Sequence, residues 1–169
     1  MNVIPLTPNV NIAGFDCGDS DLNSFLLEDA MHFFEKRIAN TFILEDEGTI
    51  VAYFCLLNDK VSRLEITNSR WREIKDTFPD GKHFRSYPSI KIGRFAVSSN
   101  YQGRDIGSLL MDLLKDQLIE EQSSSAFRFI TVDAYISAIP FYEKNGFKLL
   151  KKKDENEYTR LMFFDMMDI

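Results

Sequence analysis

The chain has 169 residues, 44% of them hydrophobic and 13% aromatic, enough for one packed core over 1–169 and too apolar for a disordered chain. Twenty Lys and Arg against 26 Asp and Glu give a net charge of −6, so no global positive field holds nucleic acid, although a local basic patch stays open. No apolar run nears the roughly 18 residues of a membrane span, and the first residues lack the basic and apolar regions of a signal peptide. A cytoplasmic protein without a membrane partner is expected.

In chain order, residues 2–5 read as a short strand, and Pro8 and Gly14 bracket irregular chain. Asp19 or Ser20 is an N-cap before Leu22, Phe25, Leu26, Ala30 and Phe33, which follow helical spacing. Thr41–Leu44 and Ile50–Leu57 read as an antiparallel hairpin about a turn at Glu45–Gly48. A short helix over 67–77 holds Trp71 and Ile74 and is closed by Phe78-Pro79-Asp80-Gly81. Ser89–Val97 is a strand rich in β-branched and aromatic residues. A loop over Ser98–Arg104 leads into a helix from Ile106 to Glu120, with Leu109, Leu110, Leu113, Leu114 and Leu118 on one side. The run Ser123-Ser124-Ser125 is a connection. Phe127–Val132 is a strand, and Ser137–Lys144 a helix whose first turn accommodates Pro140. Asn145-Gly146 ends that helix, and two strands follow near 147–151 and 158–164. The order predicts one α/β domain of six to seven strands in a mixed sheet with helices on both faces.

Cys17 and Cys55 lie in unlike contexts and form neither a disulfide framework nor a metal knuckle. Each reads as a small buried hydrophobe in a reducing compartment. Phe33, Phe34, Phe42 and Phe54 read as core. His32 and His83 lack a partner at metal spacing, so no metal is expected. Lys151-Lys152-Lys153 reads as a solvated strand end, with a phosphate contact as the alternative.

Chemistry concentrates in 92–110. A strand feeds a glycine-bearing loop and then an amphipathic helix, whose N-terminus offers free N–H groups and a positive dipole end to an anion. Gly103 and Gly107 permit close backbone approach. The spacing matches neither a Walker loop nor the dinucleotide fingerprint.

The run Tyr101-Gln102-Gly103-Arg104-Asp105-Ile106-Gly107-Ser108 resembles the acetyl-CoA loop of the GNAT N-acetyltransferases, Gln/Arg-x-x-Gly-x-Gly/Ala. Val132-Asp133-Ala134, with Phe141-Tyr142-Glu143-Lys144-Asn145-Gly146-Phe147, resembles the same superfamily's C-terminal motif. The resemblance implies a mostly antiparallel sheet splayed at the cofactor strand, acetyl-CoA as co-substrate, and transfer of its acetyl group to a primary amine in a ternary complex. It further implies that Phe95, Ala96 and Val97 line the pantetheine arm, the backbones of Phe95 and Val97 pairing with it. The amides of Gln102, Gly103, Arg104, Asp105, Ile106, Gly107 and Ser108 should cradle the pyrophosphate, with Arg94 and Arg104 as flanking cations. Two positions depart from the pattern. Asp105 stands where the family carries its first loop glycine, and Asp is among the residues that best tolerate a positive φ. Tyr135 stands where many members carry Asn.

The resemblance also implies that Tyr142 lies near the thioester sulfur, where a positioned phenol can protonate the leaving thiolate as general acid. Its other reading is an aromatic packed against Phe141 and Phe147. A backbone N–H between Phe95 and Val97 would hold the oxyanion. No general base stands out: the strand 89–97 holds no carboxylate, and Glu45, Glu47 and Glu65 cannot be ranked.

The N-terminal run Phe15-Asp16-Cys17-Gly18-Asp19-Ser20-Asp21-Leu22-Asn23-Ser24-Phe25-Leu26 resembles the opening of the acetyltransferase toxins of toxin–antitoxin modules. That branch implies the α-amine of aminoacyl-tRNA as acceptor and an antitoxin protein as partner, while the net charge and Asp105 weigh against tRNA. Homodimers are common in the resembled family. A non-catalytic coenzyme A-binding module is the remaining alternative.

Overall fold

The computed structural model describes residues 1–76, 78, 84–120, 125–150 and 156–169. His83, the lysines at 151–153 and most of the expected closure at 78–81 lie outside them. Among the described residues seven strands form one sheet in the order β1-β2-β3-β4-β5-β7-β6. The chain gathers into two compact units, Met1–Leu57 with Ile92–Ser124 and Asn58–Lys91 with Ser125–Ile169. Strands β3 (Thr49–Ser62) and β4 (Ser86–Val97) each run from one unit into the other.

In the first unit, β1 (Asn2–Pro5) pairs antiparallel with β2 (Asn40–Asp46), and β2 with β3. The hairpin turn is shorter than the sequence suggests. Glu45 and Asp46 still pair with Ile50 and Thr49, which leaves Glu47 and Gly48 as the turn. Both have positive φ, 47° and 78°, the mirror-image turn whose twist matches its strands. The register jumps from Leu44↔Ala52 to Glu45↔Ile50, so Val51 is bulged out of the ladder.

Asp19 caps the next helix as expected, its carboxylate accepting from the amides of Asp21 and Leu22 at 2.9 and 3.1 Å. The single helix read from the pattern is interrupted, however. α1 (Ser20–Ser24) passes into a π turn at Phe25–Asp29 and then α2 (Ala30–Glu35), with the Ala30 amide reaching back to Phe25 O. The extra residue in that turn rotates the apolar stripe by one helical step. Phe25, Leu26 and Ala30 are buried, whereas Phe33 and Phe34, expected in the core, are 36% and 51% exposed. Tyr53 anchors this core: its ring meets Phe15 edge-on at 5.4 Å and stacks on Phe25 at 6.3 Å, and its hydroxyl donates to Leu22 O at 2.7 Å. Helix α4 (Ile106–Glu120) has the expected bounds. It buries Leu110, Met111 and Leu114, so Met111 takes the place read for Leu109, which is exposed.

In the second unit β3 continues to Ser62, past the Leu57 at which its apolar run stops. α3 (Asn68–Lys75) is capped by Thr67, whose hydroxyl accepts from the Arg70 amide. β5 (Phe129–Tyr135) pairs antiparallel with β7 (Thr159–Asp165), which also holds β6 (Lys148–Leu149). The helix read over 137–144 divides into a 3-10 turn, Ile136–Ala138, and α5 (Ile139–Lys144), with Pro140 in its first turn. Val61, Ile66, Trp71, Ile74, Tyr87, Phe129, Leu150 and Phe163 form this unit's core. At its edge the Arg128 guanidinium grips both Asp165 oxygens, at 2.6 and 2.9 Å, and lies 5.1 Å from the Phe78 ring. Among the described residues no helix is long and apolar enough to cross a membrane.

Gly146 ends α5 at φ 86°, and a Cβ there would lie 3.0 Å from Phe164 Cε2. Gly146→Ala should therefore lower unfolding stability by about 1–2 kcal/mol from the left-handed backbone alone. Urea denaturation that leaves the midpoint unmoved would contradict this.

Candidate functional site

The expected anion loop is built entirely within the first unit. β4 ends with Phe95 and Val97 half-buried about a buried Ala96. A 3-10 turn, Ser99–Tyr101, follows, and then exposed Gln102, Gly103, Arg104 and Asp105 lead into α4. Gly103 has φ 73°, with nothing within 4 Å of where its Cβ would be. Asp105 has φ 57°, a left-handed backbone that Asp tolerates better than most residues. The Asp105 carbonyl takes the first helical bond, from the Leu109 amide at 3.1 Å. The amides of Ile106, Gly107 and Ser108 thus stand before the α-helical ladder begins, with those three residues half-buried. These amides lie at the positively polarised end of the helix, which suits an anion such as a pyrophosphate. The Arg104 guanidinium lies 5.8 Å from the Tyr101 ring beside them.

What fixes this loop is the N-terminal segment, and the sequence does not reveal that. The Gln102 side-chain amide donates to both Val97 O and Cys17 O, each at 2.9 Å. The Ser99 amide donates to Asp16 O and the Ser98 amide to the bulged Val51 O, both at 2.9 Å. The 15–23 segment is itself knotted. The Asp16 carboxylate accepts from the Gly18 amide and from Asn23 Nδ2, and both bonds hold its carboxyl below the usual range. Asn23 Oδ1 accepts from the amide and the thiol of Cys17 at 2.9 and 3.1 Å. Cys17 is thus a half-buried hydrogen-bonded link rather than a buried hydrophobe, whereas Cys55 is buried as expected. Arg94, read as a cation for the cofactor, is turned to this segment: it pairs with Asp21 at 3.4 Å, lies 5.2 Å from the Phe25 ring and donates to Gly93 O.

Tyr142 belongs to the second unit, on α5. It is 6% exposed and meets Phe141 and Phe147 edge-on at 5.2 and 5.3 Å, the packing its second reading describes. Burial pushes its phenol well above the ordinary tyrosine value. Burial likewise raises the Cys17 thiol and pushes Cys55 up to about 11. His32 is exposed, and among the described residues no group of three or more His, Cys, Asp or Glu could hold a metal ion.

If Gln102 holds the loop as described, Gln102→Glu replaces a double donor with an acceptor facing two carbonyls. Amide hydrogen exchange across 99–105 should accelerate by roughly tenfold or more, as expected for about 1.4 kcal/mol of lost local stability. Unchanged protection would show that the tether is incidental.

Residues 83–167 match the family model for the acetyltransferase (GNAT) domain. Among solved structures, a tyrosine-to-phenylalanine variant of KacT is 23% identical over 99% of this chain and 95% of its own, with a TM-score of 0.80. AtaT complexed with acetyl-methionyl-tRNAfMet is 24% identical over 99% and 95%, with a TM-score of 0.79. AtaTR bound with AcCoA is 22% identical over 99% and 94%, with a TM-score of 0.78. The likeness to these structures is one of fold, and with the matched domain it carries the assignment: this chain belongs to the GNAT acetyltransferase family.

Proposed function

We propose that the protein transfers an acetyl group from acetyl-CoA to a primary amine, directly and in a ternary complex. The observation that carries this reading is the tethered loop, whose amides stand before the α4 ladder in a chain matched by the acetyltransferase domain. On this reading the amides from Gln102 to Ser108 hold the pyrophosphate, and Phe95 and Val97 offer their backbones to the pantetheine arm. Val97 O already accepts from Gln102, and a carbonyl retains a second lone pair. When bound, acetyl-CoA supplies a thioester: the amine nitrogen forms a bond to its carbonyl carbon, and the carbon–sulfur bond breaks.

The chain's own groups fit direct transfer. An acyl-enzyme route through cysteine needs an activated thiolate, and both thiols are raised rather than lowered by burial. An ordinary phenol is already protonated at neutral pH, the state an acid for the leaving thiolate must hold; burial raises this one further and makes it a weaker acid, so the role rests on the resemblance of the 141–147 run.

Charge favours a second, narrower reading of the acceptor. The first unit carries 5 Lys and Arg against 14 Asp and Glu, and the second 15 against 12. The net charge of −6 therefore conceals a net-positive half, and an acceptor amine carried on a polyanion fits that half. AtaT is complexed with acetyl-methionyl-tRNAfMet, and AtaT also binds the C-terminus of its antitoxin AtaR. The α-amine of an aminoacyl-tRNA as acceptor, and an antitoxin as partner, are the corresponding proposals here. Turnover of acetyl-CoA with charged tRNA, polyamines and peptides compares the two; transfer to none of them would overturn both.

Two substitutions test the assigned roles. Tyr142→Phe keeps the ring and its packing and should lower kcat by about 100- to 10,000-fold. Affinity for acetyl-CoA should stay within about twofold, because the proton moves only during reaction. A kcat within twofold of the parent would make Tyr142 a packing residue. Asp105→Gly removes a carboxylate and a strained backbone from the anion loop and should tighten coenzyme A binding roughly tenfold, about 1.4 kcal/mol. Weaker binding by calorimetry would mean that Asp105 makes a favourable contact with the cofactor.

A further inference from the structure

The run from Phe15 to Leu26 has a role that the cofactor loop and Tyr142 do not account for. Its frame is Tyr53. Phe15 lies against the Tyr53 ring, and Leu22 O accepts from the Tyr53 hydroxyl, so residues 16–21 span two points fixed to the core of the first unit. Within that span two consecutive carbonyls turn to the loop after β4. Asp16 O accepts from the Ser99 amide and Cys17 O from Gln102 Nε2, each at 2.9 Å. An extended chain points successive carbonyls to opposite sides, so aiming both at one neighbour takes a turn. Gly18 supplies it at φ 83°, with its amide bonded to Asp16 Oδ1.

One side chain closes that turn. Asn23 Oδ1 accepts from the amide and the thiol of Cys17, and Asn23 Nδ2 donates to Asp16 Oδ1 at 2.7 Å. Asn23 thus grips both residues whose carbonyls hold the loop. Its place on α1 runs against helix formation. Asparagine is a weaker helix former than alanine, because its short amide bonds to nearby backbone instead. A position that only had to be helical would be more stable as alanine. Every group in this chain of contacts belongs to the first unit.

Building on the acetyl-transfer reading above, we propose that Asn23 is a positioning residue for acetyl-CoA. By closing the 16–18 turn it aims Asp16 O and Cys17 O at Ser99 and Gln102, and so sets the spacing of the amides that receive the pyrophosphate. The Phe-Asp-Cys-Gly run is then a clasp for the cofactor loop. Asn23 acts through Asp16, Cys17 and Gln102 and not on the reacting atoms. It governs how tightly the pyrophosphate is held and leaves the chemical step alone.

The test is calorimetry of coenzyme A binding, with steady-state transfer from acetyl-CoA and from S-acetylpantetheine, which carries the same thioester and arm without a pyrophosphate. Asn23→Ala should weaken coenzyme A binding roughly tenfold and raise KM for acetyl-CoA to match, with kcat within about twofold. With S-acetylpantetheine, kcat/KM should stay within about twofold of the parent. A residue that merely stabilises the fold would depress both donors alike. Should Asn23→Ala fail to fold, Asn23→Asp carries the comparison. It keeps the acceptor for Cys17 but sets a second carboxylate against that of Asp16, so binding should again weaken. Adding Asp16→Asn restores a donor between the two side chains and should recover part of the affinity. Parental affinity in the Asn23 variants, or an equal loss with both donors, overturns the positioning role and leaves the acetyl-transfer reading standing. A parent that binds coenzyme A but transfers to none of charged tRNA, polyamines and peptides overturns that reading, while the calorimetric comparison still tests the clasp. A parent that does not bind coenzyme A overturns both.

Discussion

One side chain joins the two parts of the sequence that matter most to the first unit. The amide of Gln102 bridges the end of β4 and the 15–23 segment through Val97 O and Cys17 O. A loop that presents backbone amides to an anion cannot spend those amides on internal bonds, so it needs to be held from elsewhere. Side-chain donors and a docked neighbouring segment do that here. The knot of Asp16, Cys17 and Asn23 gives that neighbour a fixed shape, and the Asp19 cap continues it into α1.

This explains how Asp16, Cys17 and Gly18 are held by hydrogen bonds while Phe15 ahead of them lies in the core. Gly18 takes φ 83°, with the place of its absent Cβ 3.7 Å from Ser99 Oγ. Arg94 works on the same join from the other side: paired with Asp21 and set against Phe25, it ties β4 to the π turn. A cation read from sequence as a cofactor contact is thus spent on architecture. The Gln102 side chain is spent similarly.

The second unit divides its sheet between an aromatic cluster and a polar row. Tyr87 stacks on Phe78 at 4.1 Å and leans on Trp71. Two residues along the same strand Ser89 is buried, its Oγ without a hydrogen-bond partner among the described residues, while Thr131 donates to Asp59 Oδ2 across β4 and Lys91 pairs with Asp133. Polar groups in such a setting are stable when they satisfy one another, and one left without a partner carries a cost. The excess of cations over acids in this half, against a large excess of acids in the other, makes the molecule's net charge a poor guide to what it can bind.

Much of this was legible in the residues themselves. The α4 bounds, the Asp19 cap, the Asn145-Gly146 ending and the loop ahead of α4 rest on local signals: periodicity, capping chemistry and a tolerated positive φ. Such signals act within a few residues and survive without context. The π turn and the exposure of Phe33 and Phe34 were not legible, because helical periodicity assumes an unbroken ladder. Nor was the length of β3: Asn58, Asp59 and Lys60 have poor strand propensity, and pairing with the adjacent strand β4 decides the matter. Which hydroxyl faces which carboxylate across an intervening strand depends on register among segments some 30 to 70 residues apart, and only the folded sheet sets that register.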